Sequence, residues 1–158
     1  MNNWMTGTLL ATVAVASALT EAATDKTAER ELRHSIEAFR TAGDERDLSA
    51  IESILHKDFR LLAYFGAATD AATMDKAAYT GALRAGKIGG KPRTLKIVSI
   101  DVRGSHAACR ISMESAELKF DNYMHWVKTE RGWRLLNDLT HAVPRSEERR
   151  VGKECLRL

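Results

Sequence analysis

Side chains able to transfer a proton are concentrated in one stretch near the end of the chain. Asp121, Tyr123 and His125 alternate there, so they share one face if the stretch is a strand. Asp138 on the next strand is expected opposite Tyr123, on the same face. A histidine titrates near neutral pH and can act as a general acid or base. On this face, which is predicted to point outwards, a solvated or dimer-contacting surface explains these residues better than catalysis, so the catalytic residues stay unknown.

The residues that alternate with Asp121, Tyr123 and His125 point to the other face of the strand and predict a second, less polar surface. Lys128 is expected to pair with Trp133 around a short turn, which places Met124 opposite Asn137. The resulting face is apolar and aromatic with two amides, and such a face suits the lining of a ligand cavity. Each residue has an alternative role in the core. The candidate ligand-binding residues are Tyr64 on an earlier strand, Asn122, Met124, Trp126, Trp133 and Asn137.

Composition and spacing exclude several classes of function. The net charge is +3, but basic and acidic residues are interspersed, so nucleic-acid binding is not predicted. No spacing of His, Asp or Glu predicts a metal site, and no glycine-rich phosphate loop precedes a helix, so no cofactor is predicted. Cys109 stands in an apolar segment and predicts no disulfide within the domain.

The two ends of the chain differ from its body. Residues 1–23 contain an apolar run from Leu9 to Leu19, which favours a secretory signal peptide. Near the end of this run, Ala16 and Ala18 are small residues at the −3 and −1 positions of a cleavage site. The run is too short for a stable membrane span, and an alanine-rich helix packed on the domain is the alternative. Residues 145–155 resemble a translated sequencing adapter, so 145–158 is interpreted as an artefactual tail. One domain, 24–144, is left.

Within this body, helical periodicity gives way to alternation after Pro92. Apolar residues predict a helix over 26–42 that ends at Gly43, and Asp47 and Asp75 are expected to cap two further helices. The predicted strands are 59–65, 94–102, 106–115, 118–129 and 133–140. Short joins between the last four predict an antiparallel meander. The fold class is therefore α+β, with N-terminal helices packed on a curved antiparallel sheet that encloses a cone-shaped cavity.

Two segments resemble a known family. The stretch 120–128 with 132–137 is similar to the closing hairpin of the proteins called "putative lumazine-binding", a branch of the nuclear transport factor 2-like superfamily near the SnoaL-like polyketide cyclases. The segment from Ala42 to Phe59 resembles the helix pair of the same family. The resemblance implies a cystatin-like roll. The chain departs from the family at Asn122, where an Asp is usual.

Three functions follow from these observations. The first is a periplasmic or secreted homodimeric domain that binds a small hydrophobic or aromatic ligand without a clear catalytic set. The second, implied by the relatives, is an enzyme like ketosteroid isomerase or a polyketide cyclase, with Asp101, Asp138 or His125 as the base. The third is a dimeric association domain whose cavity has no ligand.

Overall fold

Three helices pack on one face of a six-stranded sheet. The computed structural model describes residues 9–145, with side chains from residue 25 onward. The elements in chain order are α1 (Leu9–Glu45), α2 (Leu48–Ile54), β1 (Leu55–Phe65), β2 (Ala72–Asp75), α3 (Lys76–Arg84), β3 (Thr94–Arg103), β4 (His106–Glu114), β5 (Leu118–Thr129) and β6 (Gly132–Pro144). The α+β class, with N-terminal helices on a curved sheet, is confirmed.

Helix α1 carries a buried stripe along the side that meets the sheet. The stripe recurs every three or four residues, the period of one helix face, and consists of Ala28, Leu32, Ile36, Phe39 and Ala42. The helix continues two residues beyond the expected end at Gly43. It ends where Arg46 adopts the left-handed conformation, with φ of 55°. The Arg46 and Asp47 amides then donate to the carbonyls of Gly43 and Ala42, a hydrogen-bonding pattern that closes helix C-termini.

Helices α2 and α3 begin as the sequence predicts. The Asp47 side chain accepts a hydrogen bond from the Ala50 amide at 3.0 Å, and Asp75 accepts one from Ala78 at 2.8 Å. Each aspartate thus satisfies an amide that has no partner within the helix. Asp75 also ends β2, a short strand that the sequence analysis missed because small residues around Gly66 favour a loop.

The strand order is β2-β1-β6-β5-β4-β3. Strands β3 to β6 form the expected antiparallel meander. Strand β1 pairs antiparallel with β2 but parallel with β6, so the sheet is mixed rather than wholly antiparallel. The parallel pair arises because the chain crosses the sheet through α3 and the meander before β6 reaches β1. As a result, β6 lies in the middle of the sheet.

Both expected terminal segments extend beyond the described residues. Residues 1–8 and 146–158 lie outside them, and for 9–24 only the helical backbone is described. The signal peptide expected over 1–23 and the tail expected over 145–158 therefore stay predictions. Among the described residues, no helix is both long and apolar enough to cross a membrane.

Candidate functional site

A cavity of about 310 Å³ lies between the helices and the face of the sheet that they cover. This volume is at the lower end of the range for small-molecule sites. Most of its wall is apolar. The hydrophobic lining residues are Phe39, Leu61, Ala63, Phe65, Ala72, Met74, Ile88, Met113, Leu118, Phe120 and Ala142. Its polar groups come from a few positions, chiefly Tyr79, Arg93, Asn122, Asp138 and Thr140.

A β-bulge in β6 decides which polar residues line the cavity. Trp126 lies opposite Leu135 as expected, but the next paired residues are His125 and Asn137. Leu136 is therefore an extra residue without a partner in the register. Beyond the bulge every side chain of β6 points to the face opposite to the one expected from strict alternation.

The shifted register makes Asp138 a residue of the cavity. Asp138 now lies opposite Met124, and Thr140 lies opposite Asn122. The expected position of Asp138 beside Tyr123 on the outer face was wrong. The cavity face, expected to be apolar and aromatic with two amides, therefore also carries an acid. Asp138 is only 4% exposed and belongs to the cavity lining.

Asn122, Asp138 and Thr140 form a polar cluster at the sheet side of the cavity, called here the polar base. The Asn122 Nδ2 group donates to Asp138 Oδ1 at 3.0 Å and Oδ2 at 3.1 Å, and to Thr140 Oγ1 at 2.6 Å. Asn122 is only 2% exposed, yet its Oδ1 has no hydrogen-bond partner among the described residues. An unsatisfied buried acceptor costs about 1–3 kcal/mol, so a ligand donor at this position would be stabilising.

Burial controls the protonation of the polar base. It raises the pKa of Asp138 to about 6, although hydrogen bonds from Asn122 and Thr140 and the charge of Arg93 act in the opposite direction. Desolvation penalises the ionised carboxylate, and these partners compensate for only part of that penalty. Asp138 can therefore change its charge close to neutral pH.

Tyr79 and Arg93 form a second polar part of the lining. The Tyr79 ring lies between Phe39 and Phe59, at centroid distances of 6.4 and 5.6 Å. Burial raises the pKa of Tyr79 to about 12, so its hydroxyl stays neutral and able to donate a hydrogen bond. Arg93 pairs with Asp44, whose side chain is 9% exposed. This ion pair fixes the guanidinium at the helix side of the cavity.

The segment 86–90, called here the glycine loop, borders the same cavity. It contains three glycines with positive φ, and Lys87, Ile88 and Gly89 line the cavity. The Arg46 guanidinium donates to the carbonyls of Gly86, Ile88 and Gly89 at 3.1–3.2 Å. One arginine therefore holds the loop in shape. From sequence, the glycines at 86, 89 and 90 predict a loop after a helix, but they do not indicate that this loop borders a cavity.

The structure separates the six predicted ligand-binding residues. Asn122 lines the cavity, whereas Met124, Trp126 and Trp133 are buried in the core and do not belong to the lining. Two expected orientations were wrong. Asn137 lies opposite exposed His125, and its Nδ2 donates to the Arg60 carbonyl at 3.3 Å. Tyr64 lies on the face opposite to cavity-lining Leu61 and Ala63. Ligand binding by any of the six stays a prediction.

The alternating Asp121, Tyr123 and His125 lie on the outer face of the sheet. Tyr123 is 50% exposed, and the Arg110 guanidinium lies 5.5 Å from its ring centroid. His125 is exposed as well, and Asp101 on β3 pairs with Arg103. Of the three bases considered from sequence, only Asp138 lines the cavity. The described residues contain no group of three or more His, Cys, Asp or Glu that could hold a metal ion.

Solved structures share this architecture at low sequence identity. An NTF-2 like protein of unknown function from Silicibacter pomeroyi DSS-3 superposes with a TM-score of 0.66 and 16% identity, covering 75% of this chain and 98% of that one. An NTF2-like protein of unknown function from Shewanella baltica OS155 superposes with a TM-score of 0.63 and 13% identity, covering 72% of this chain and 92% of that one. A cystatin-like fold protein from Burkholderia xenovorans LB400 superposes with a TM-score of 0.60 and 14% identity, covering 74% of this chain and 92% of that one.

Sequence comparison identifies the family. No protein of curated function matches the chain. Residues 27–141 match the family described as "Putative lumazine-binding". This range contains the polar base, the glycine loop and every strand of the sheet except the last residues of β6. The chain therefore belongs to the "Putative lumazine-binding" family and has the nuclear transport factor 2-like fold.

Proposed function

We propose that the domain binds a small, flat, largely apolar molecule whose N–H or O–H donors meet the polar base. The observation that carries this proposal is a cavity of about 310 Å³ whose lining includes Asn122, a residue with an unpartnered Oδ1. The Asp138 carboxylate beside it supplies further acceptor positions. Apolar walls would hold the body of such a ligand, and buried acceptors would orient it.

The pattern of acceptors favours a particular edge of the ligand. Asn122 Oδ1 and Asp138 together accept hydrogen bonds, so a heterocycle with N–H groups is preferred over one with only carbonyls or ring nitrogens along that edge. Lumazine, the compound in the family's description, is a flat pteridine with N–H groups of this kind. It is the first compound to test on this chain.

Binding is tested by calorimetric titration and by the shift in melting temperature with lumazine and a panel of N–H-bearing heterocycles. A bound ligand raises the melting temperature because it stabilises only the folded state. Ala63→Phe should abolish binding by filling the cavity, since Ala63 is 6% exposed and lines it. Ala77→Phe adds the same ring at an exposed position on α3 and should leave binding intact. Equal binding by both variants would contradict the proposal.

A second candidate function, catalysis, is favoured by the raised pKa of Asp138 within the cavity. A carboxylate with a pKa near 6 can remove a proton from a carbon next to a carbonyl. The enolate oxygen would then accept a hydrogen bond from Tyr79, which is neutral and lines the same cavity. In this reaction the proton moves from the substrate carbon to Asp138, and the electron pair moves to the carbonyl oxygen.

Catalysis is tested by proton exchange in D₂O. Small ketones are incubated with the protein, and loss of their α-proton signals is followed by NMR. Exchange should increase as the pH rises through about 6, and Asp138→Asn should remove it while Asp101→Asn should not. An exchange rate equal to that of buffer, for a ketone that binds, would leave the chain a binding domain only.

Dimerisation is proposed through the outer face of the sheet. Tyr123 and Leu139 are paired across β5 and β6 and are 50% and 40% exposed, so two large side chains lie side by side on this surface. Tyr123→Ala and Leu139→Ala should each shift the molecule towards monomer in light scattering. His106→Ala, at the β3–β4 turn, serves as control. An unchanged oligomeric state in both variants would exclude this face, and with it the proposal that the domain serves only in association.

Export to the periplasm or the medium is proposed from the apolar run 9–19. Ala16 and Ala18, near the end of this run, are small residues at positions suited to signal-peptidase cleavage. The chain expressed in a bacterium should be found outside the cytoplasm, with a new N-terminus after Ala18. A cytoplasmic protein that retains Met1 would contradict export.

A further inference from the structure

The charges around the cavity are distributed unequally. Among the residues with described side chains, 25–145, the lining includes three cations, Lys87, Lys91 and Arg93, but a single acid, Asp138, which lies at the polar base. Two of the cations already have partners: Arg93 pairs with Asp44, and Lys91 pairs with Glu117 at 2.5 Å. Lys87 makes no side-chain hydrogen bond or ion pair within the described part of the chain. An uncompensated positive charge therefore stands at the glycine loop.

The backbone of the glycine loop adds hydrogen-bond donors near this charge. The amides of Lys87 and Gly90 donate to Ala82 and Gly43, but those of Ile88 and Gly89 have no acceptor among the described residues. In a trans peptide the N–H points opposite to the preceding carbonyl. Because the Ile88 carbonyl faces the Arg46 guanidinium, the Gly89 N–H points away from that guanidinium.

We infer that the cavity takes an anionic ligand, with a carboxylate or phosphate group bound at the glycine loop by Lys87 and the Gly89 amide. An ammonium ion next to a free backbone amide is a common way to bind anionic oxygens. The inference rests on the proposed function, since the ligand's flat body must occupy the cavity. It adds that the ligand has two different ends. One end donates N–H groups to the polar base, and the other presents negative charge to Lys87.

The neighbouring ion pair supports a specific role for Lys87. Glu117 neutralises Lys91 but is not part of the cavity lining. Removing its charge would leave Lys91 free beside the loop. Glu117→Gln should therefore strengthen anion binding, whereas Lys87→Gln should weaken it. Opposite effects from two single substitutions cannot come from a general loss of stability.

The test compares lumazine with lumazine-6-carboxylate on the full chain by calorimetric titration at low salt. We expect the carboxylate to bind about 2–5-fold more tightly, the range for one exposed charge pair. Lys87→Gln should reduce this ratio to about one, and Glu117→Gln should increase it. Lys96→Gln, at an exposed position of β3 outside the lining, should leave the ratio unchanged.

The outcomes separate the two proposals. If both compounds bind with equal affinity, or if the ratio is the same in Lys87→Gln, the anionic end is refuted while small-molecule binding stands. If neither compound binds the unmodified chain, the lumazine form of the proposed function and this inference are refuted together. A phosphate source is distinguished from a carboxylate by adding inorganic phosphate. If the loop favours phosphate, millimolar phosphate should cancel the advantage of the carboxylate and leave lumazine binding unchanged.

Discussion

Asp138→Asn should change how the stability of the domain depends on pH. Asparagine has nearly the same shape and keeps an oxygen that can accept from Asn122 Nδ2, but it carries no charge. The wild-type carboxyl has its pKa raised from 3.8 to about 6 by burial. Between these two values the folded state binds more protons than the unfolded state. Stability therefore falls as the pH rises through this window.

The size of the effect follows from the shift. Moving the pKa of Asp138 from 3.8 to about 6 corresponds to about 3 kcal/mol of lost stability once the group is ionised. Most of this loss, about 2 kcal/mol, should develop between pH 4 and pH 7. Well below pH 3.8 the carboxyl is protonated in both states and imposes no such penalty. As the pH rises, the free energy of unfolding of the asparagine variant should therefore increase by the same amount relative to that of the wild type.

Urea unfolding at several pH values from 4 to 7 measures this difference. Contributions from other titratable groups cancel when the variant is subtracted from the wild type. Asp101→Asn, an exposed residue on β3, is the matched control and should run parallel to the wild type. If the Asp138→Asn and wild-type curves are also parallel, the carboxyl is not desolvated, and the account of the polar base is wrong.

Three further substitutions test how the cavity is built. Arg46→Ala should cost about 1–2 kcal/mol in urea unfolding and increase amide exchange in the glycine loop, because three hydrogen bonds to loop carbonyls are lost. Gly89→Ala should destabilise far more than Gly104→Ala. Both glycines have positive φ, and this backbone strain alone should cost Gly104→Ala about 1 kcal/mol. At Gly89, in addition, a Cβ would lie 2.4 Å from a backbone oxygen. Arg93→Leu should lower the free energy of unfolding by about 2 kcal/mol, because the buried carboxylate of Asp44 loses a charged donor. A change near zero for any of these substitutions, or equal changes for the two glycines, would contradict the contacts described.

Helical periodicity and capping residues allowed most of the fold to be predicted. The buried stripe of α1 was apparent from the positions of Leu32, Ile36 and Phe39, and Asp47 and Asp75 cap helices where expected. These signals are local, because a helix face and a cap depend on residues within one turn. The parallel pairing of β1 with β6 depends on contacts between residues far apart in the chain, and no local pattern indicated it.

The candidate site was harder to predict, because its composition depends on register. Asn122 was placed on the covered face correctly, since β5 alternates without interruption. Asn137 and Asp138 were exchanged between the faces because of one unpaired residue. Two adjacent leucines, Leu135 and Leu136, were the only signal of this irregularity, because strict alternation would leave one of them on the outer face. No pattern in the sequence predicted that Tyr79 and Arg93 line the same cavity.

The bulge at Leu136 means that the groups inside the cavity depend on where β6 accommodates one extra residue, rather than on residue type. Deleting Leu136 would remove the bulge but leave Asn137 opposite His125, so the remainder of β6 would keep its present faces. A strand that kept Leu136 but lost the bulge would instead turn Asn137 and Leu139 inwards and place the carboxylate of Asp138 in solvent. Relatives with a β6 of the same length but without the bulge would therefore have interiors of opposite chemistry, although their aligned sequences looked almost the same.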